Sequence, residues 1–261
     1  MADSLEQRIL DLKVAPGTVA CVWLGQAAYL FKSPAGAIVI LDPYLSDYAE
    51  QQWNMPRAIP PAIDITKIKP DLLLATHWHE DHLDQPVVRH WAKHDAGTFA
   101  GPGDAYARAV AWGWPKEKAV RFDRGQSLTF RDVEITATFA RHEALAPDAV
   151  GFLMNFAGLK IWDVGDTEYD ARLRPMRDEK IDVAMTPING VGGNLNVYEA
   201  ALLLWHVQPK IAIPMHYNMW APAVFGEGAT LDPNEFVSFY ERLGGGESRI
   251  MKVGEIVTFT K

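Results

Sequence analysis

The sequence predicts an α/β (α+β) architecture, a four-layer sandwich in which two β-sheets pack face to face and helices cover both outer surfaces. Two observations carry this reading. Short apolar runs of strand character dominate residues 18–215 and are separated by a few amphipathic helical stretches. The histidines and acids that carry chemistry fall just after such runs, at what would be strand ends. At 261 residues the chain is long enough for one sizeable core, and no linker divides 1–261, so a single domain is expected.

Taken in order, Ser4 and Gln7 form a capping-box pattern ahead of a stripe of Leu5, Ile9 and Leu12. Strands are expected at 18–24, 29–32 and 37–41, and the third runs into Asp42, an acid that needs a partner at the end of a buried strand. Residues 45–69 lack periodicity but carry Trp53, Met55, Arg57 and Ile63, which suits either a cleft wall, with Arg57 as an anion contact, or a packed surface loop. A buried strand at 71–75 leads into residues 76–84, THWHEDHLD. Asp84 is a plausible N-cap there, Pro86 fits a first helical turn, and Val87, Val88, Trp91 and Ala92 supply an apolar helix face.

Beyond this helix come a strand near Thr98, a helix at 104–112, and strands at 119–122, 127–130 and 133–140, the last delivering His142. A hairpin at 149–156 and 159–164 ends in Gly165-Asp166-Thr167, where the glycine permits a sharp turn that exposes the carboxylate. A strand at 182–185 opens into a Gly- and Asn-rich loop, 187–196, before a helix at 198–207; such a loop and helix start can hold an oxyanion through backbone N–H groups. The strand at 211–215 delivers His216 and the aromatic loop that begins at Tyr217, and a capped helix follows at 233–243. Arg57, Asn189, Asn194 and Tyr217 are the candidate substrate contacts on these loops.

The densest chemistry lies in 76–84. On a helix His77 and His79 would stand about 200° apart, whereas on a strand end they share a face. The stretch therefore starts extended and then turns, so that His77 and His79 can take one metal ion while Asp81 and His82 face another. His90 and His94 have helical spacing but fall off the apolar stripe, and they read as solvated.

This HxHxDH pattern is similar to the signature of the metallo-β-lactamase superfamily. Together with Val14-Ala-Pro-Gly-Thr18, Trp23-Leu-Gly25, Gly165-Asp-Thr167 and Ile213-Pro-Met-His216, it resembles the L-ascorbate-6-phosphate lactonase group over residues 14–220. The resemblance implies the metallo-β-lactamase fold and a first metal site of His77, His79 and His142. It further implies a second site of Asp81, His82 and His216, with Asp166 between the two. Asp42 would accept the second ring N–H of a ligand histidine. One or two divalent ions per chain are implied; nitrogen and oxygen donors without thiolate suit Zn²⁺ or Mn²⁺, and also Fe²⁺. Members of the group are cytoplasmic and oligomeric. This chain is shorter than those lactonases, lacking inserted segments around the first loop and before the Gly-Asp strand, where substrate contacts are expected.

Two divalent ions, two carboxylates and one hydroxide would leave the centre at about +1, which suits an anionic ester substrate and a developing oxyanion. A water acidified by the ions is the expected nucleophile, and Asp81 the expected proton carrier to the leaving oxygen. The leading expectation is hydrolytic opening of a lactone or similar cyclic ester. The alternatives are a phosphodiesterase and a non-catalytic metal-binding protein; an intact Asp81 argues against the latter. A redox di-iron role is disfavoured because no flavin partner domain is present.

Composition narrows the field further. A net charge of -8, from 25 Lys and Arg against 33 Asp and Glu, does not suit a nucleic-acid surface. No apolar run of about eighteen residues marks a membrane span. With no signal-peptide pattern and Cys21 as the single cysteine, no internal disulfide forms and the cytoplasm is the expected compartment.

Overall fold

Along β1 (Thr18–Gly25), Val19, Cys21 and Trp23 join one buried cluster while Val22 and Leu24 join another, so this strand must be covered on both faces. In the structure, a computed structural model that describes residues 3–94, 97–142 and 145–261, that requirement is met by two sheets and two helical layers. The first sheet continues antiparallel through β2 (Ala28–Lys32) and β3 (Ile38–Leu41), then parallel through β4 (Leu72–Leu74), β5 (Thr98–Gly101) and β6 (Ala119–Arg121). The second runs antiparallel through β7 (Ser127–Phe130), β8 (Val133–Phe139), β9 (Val150–Phe156) and β10 (Leu159–Asp163). It then continues parallel through β11 (Val183–Pro187), β12 (Ile211–Met215) and β13 (Glu247–Ser248). Finally β14 (Ile256–Thr260) returns to the first sheet and pairs antiparallel with β1.

The two sheets therefore repeat one plan, four antiparallel strands followed by three parallel additions. No repeat is legible in the residues. The switch from antiparallel to parallel falls at β3 in one sheet and β10 in the other. Asp42 follows the first of these two strands directly and Asp166 lies three residues after the second.

Of the helices, α1 (Leu5–Asp11) and α2 (Tyr48–Trp53) are short, and α3 (Gln85–Lys93) and α4 (Gly103–Ala111) cover the first sheet. Val87, Val88, Trp91, Ala105 and Ala109 pack there against Val22, Leu30, Ile40 and Leu73. The second sheet is covered by α5 (Val197–Val207) and, beyond the single turn α6 (Pro222–Phe225), by α7 (Pro233–Arg242). The four-layer architecture is thus as the sequence predicts. At the N-terminus only half of the capping box forms: Ser4 accepts from the Gln7 N–H, while the Gln7 amide turns to Asp11. Among the described residues, no helix is long and apolar enough to cross a membrane.

Candidate metal centre

Three backbone turns aim the polar side chains. Asp42 leaves β3 with φ 45, and its carboxylate accepts the Thr76 N–H at 2.7 Å and the Thr76 hydroxyl at 2.6 Å, fixing the start of the histidine loop. At the loop's other end Asp84 caps α3 through the Val87 N–H and also accepts from Leu45 N, Ser46 N and Ser46 Oγ. After β10 the chain turns at Gly165, φ 70, where a Cβ would stand 2.5 Å from the Val150 carbonyl; only glycine fits, and Asp166 emerges into the site. His216 leaves β12 with φ 63 and donates its N–H to the Gln26 carbonyl.

These turns bring all seven predicted ligands together. Donor atoms of His77, His79 and His142 lie within 4.8 Å of one another, as do those of Asp81, His82 and His216, and a third set joins His77 and His82 to Asp166. In the first set Nδ1 of His79 lies 2.8 Å from Nε2 of His77 and 3.4 Å from Nε2 of His142. In the second, Nε2 of His216 stands 3.4 Å from Asp81 Oδ2 and 3.3 Å from Nε2 of His82. Asp166 Oδ2 reaches both His82, at 3.3 Å, and His216, at 3.2 Å. The first two sets are the two sites that the resemblance implies, and Asp166 stands between them.

Charge is distributed unevenly across this centre. Burial, reinforced by the neighbouring imidazoles, holds His77 well below the ordinary histidine value, and burial takes His79 down to about 4. Both rings are neutral at pH 7. Burial opposes charge on His82 and His216 too, but the carboxylates of Asp166 and Asp81 outweigh it, raising His82 well above its usual value and His216 to about 9. Against the same burial, those imidazoles hold Asp81 and Asp166 below the usual carboxylate range.

The residues present fit a divalent cation. Ring nitrogens crowd a common point, and Asp166 Oδ1 is buried with no hydrogen-bond partner, an acceptor that a cation would satisfy. The tautomers are prepared as well. Asp42 Oδ2 lies 2.7 Å from Nδ1 of His82, and the Gly193 carbonyl 3.2 Å from Nδ1 of His142, so in both rings Nε2 is the nitrogen that faces the centre.

Around the centre the expected substrate contacts divide. Asn189 and Asn194 line the cleft above it, and Asn194 Nδ2 also donates to Asp166 Oδ2 at 2.9 Å. Arg57 is engaged elsewhere: its guanidinium bonds the carbonyls of Tyr44 and Ile59 and stacks on the Tyr44 ring, so it braces the 45–69 loop instead of facing the cleft. Tyr217 is also corrected, since its ring is 2% exposed and packs on Trp23 in the core between the sheets. The start of α5 is no anion cradle either. Asn196 already takes the N–H groups of Tyr198 and Glu199, and Thr230 that of Val197. One residue escapes sequence reasoning: Gln26, at the turn after β1 with φ 53, donates to Asp81 Oδ2 at 2.8 Å and touches His216 at 3.2 Å. A glycine before a polar residue between two strands is its only sequence signal.

A family model described as the beta-lactamase superfamily domain matches residues 21–216, a span that includes all seven candidate ligands. The chain belongs to the metallo-β-lactamase superfamily. Within that superfamily it is 32% identical over 231 residues to a UPF0173 metal-dependent hydrolase of Polynucleobacter asymbioticus, covering 78% of this chain and 76% of that one. A UPF0173 protein of Pyrococcus furiosus is 30% identical over 217 residues, covering 82% and 87%. Igni18, a metallo hydrolase of Ignicoccus hospitalis, shares the superfamily fold with a TM-score of 0.73 at 23% identity, over 94% of this chain and 99% of its own. The chain is thus a metal-dependent hydrolase of the metallo-β-lactamase fold. Its donor groups follow strand ends on both sheets, the arrangement that this superfamily member's repeated plan produces.

Proposed function

We propose that the protein opens a lactone or similar cyclic ester by hydrolysis at a pair of divalent ions, Zn²⁺ or Mn²⁺, held by His77, His79 and His142 and by Asp81, His82 and His216. The observation that carries this reading is the adjacency of the two donor sets, with Asp166 between them and Asp81 facing the cleft. Ions there would supply Lewis acidity and a water that ionises near neutral pH.

The chain's own groups then have separate tasks. Gln26 holds Asp81 Oδ2, and the Asp81 carboxylate would take the proton lost by the attacking water and pass it to the leaving oxygen of the opened ester. Asn194 keeps Asp166 turned toward His82 and His216. Asp42 and the Gly193 carbonyl keep two imidazoles in the ligating tautomer.

Metal analysis of the purified protein, combined with a hydrolysis screen over lactones, phosphodiesters and β-lactams, tests this reading. Turnover of lactones that is lost on chelation supports it. Turnover of phosphodiesters with lactones left intact would replace it with the phosphodiesterase reading, and equal rates for wild type and Asp81→Ala on every ester would return the chain to a metal-binding protein without catalysis.

A further inference from the structure

The walls of the cleft carry information that the metal centre does not. The cleft has a volume of about 340 Å³, at the small end of ligand sites, and its floor is His79, Asp81, Asp166 and His216. Trp53, Met55, Leu145, Val191, Trp220 and Phe225 line its walls. Met55, Val191, Trp220 and Phe225 belong to an apolar cluster of their own, built on Tyr44 and Met219 and separate from the two main cores. That packing fixes the walls in place. Trp53, 39% exposed, and Leu145, 44% exposed, are among the few large apolar side chains left open to water, and both border this one cleft.

Among the described residues, no Lys or Arg lines the cleft. The arginines nearest in sequence to its walls do not line it: Arg57 gives Nε and Nη1 to loop carbonyls, with Nη2 buried and unpartnered, and Arg141 lies 3.3 Å from Glu168 and 3.8 Å from Asp170. The polar atoms left over inside are neutral amide oxygens and one indole N–H, that of Trp220, apart from the Asp166 carboxylate at the floor. Asn189 Oδ1 and Asn194 Oδ1 are buried without partners, and their amide nitrogens donate to the Val191 carbonyl and to Asp166. An anionic arm lying along the walls, away from the floor, would lose its hydration and meet no lysine or arginine there. An alkyl or aryl arm would bury apolar surface against Trp53, Leu145 and Phe225.

We propose that this cleft selects an uncharged substrate bearing an apolar substituent and discriminates against phosphorylated ones; as a statement about turnover, this rests on the lactone reading above. The charge of the metal pair acts at the reacting ester, while the walls choose what hangs from it.

Two measurements on the purified, metal-loaded protein separate the two ideas. The first is kcat/KM for a series of γ-alkyl lactones and for the same lactones with a terminal phosphate on the alkyl chain. The expected result is a rise of roughly fourfold per added methylene until the cleft is filled, and a loss of at least about tenfold on adding the phosphate. The second is binding of octanamide, hexanamide and ω-phosphorylated octanamide, followed by tryptophan fluorescence. Octanamide should bind roughly 15-fold more tightly than hexanamide, and the phosphate should weaken it. Leu145→Ala should flatten both chain-length dependences. If amides bind in this order while no lactone is hydrolysed, the lactone reading fails and the substrate class stands. Lactones hydrolysed or amides bound without regard to chain length, a phosphate that improves either quantity, or an unaltered slope in Leu145→Ala would overturn the substrate class and leave the lactone reading to the turnover data alone.

Discussion

Asp42 holds His82 from behind: its Oδ2 lies 2.7 Å from the ring Nδ1, while the same carboxylate accepts both the N–H and the hydroxyl of Thr76. Both Asp42 and His82 have no exposed surface. The contact ties the end of β3 to the histidine loop after β4, so it sets ring orientation and loop position together. Asp42→Asn should reduce metal affinity by about 10- to 100-fold, as loss of a carboxylate behind a ligating imidazole typically does. Competition with a chromogenic chelator measures it, and an unchanged affinity would remove Asp42 from the account.

The metal-free centre stores protons that the ions must displace. His216 titrates at about 9 and His82 well above the usual range, because Asp166 and Asp81 outweigh their burial. At pH 7 uptake of two ions should therefore release about two protons, and the combined affinity should fall roughly 100-fold for each pH unit below neutrality. Calorimetry in buffers of different ionisation enthalpy counts the protons. For stability the sign follows from a folded-state value for His216 above its unfolded one: its contribution is complete below about pH 6.5 and is lost as pH rises through about 9. Thermal melts of chelator-treated protein should accordingly drop over that window.

Gln26 is the one polar side chain from the β1–β2 turn that reaches the centre, and it positions Asp81 without being a candidate ligand. Gln26→Ala should lower kcat by about 10- to 100-fold with a much smaller change in KM and an unchanged metal content. Equal losses in metal content and activity would instead make it part of the metal site's scaffold.

Asp84 joins two segments by accepting from Leu45, Ser46 and the first turn of α3. Asp84→Ala leaves those donors unpaired in a buried place and should cost roughly 2–4 kcal/mol. Urea unfolding with unchanged slope reads this directly; a loss below about 0.5 kcal/mol would mean that water replaces the carboxylate without penalty.

Much of this centre was legible in the residues, though for different reasons at different positions. His77, His79, Asp81 and His82 are close in sequence, and a two-residue period at a strand end forces the first two to one face. His142, Asp166 and His216 are single residues after strands, and only the family pattern singles them out. Arg57 and Tyr217 differ from the sequence expectation because a residue's type does not say where its polar tip goes: that of Arg57 bonds loop carbonyls, and that of Tyr217 is buried in the core without a partner. The helix Tyr48–Trp53 has six residues and buries only Ala49, too little periodicity to be seen. Ile256–Thr260 does alternate, with Val257 and Phe259 buried and Thr258 and Thr260 exposed, but its partner β1 lies at the other end of the chain.

The central claim is that seven side chains from both sheets share two cations. Anomalous diffraction at the absorption edge of the metal that copurifies with the protein tests it most directly. Two peaks are expected, one bounded by His77, His79 and His142 and the other by Asp81, His82 and His216, with Asp166 touching both. A crystal of metal-replete protein with no anomalous peak among these residues, or with its ion bound elsewhere, would contradict the account.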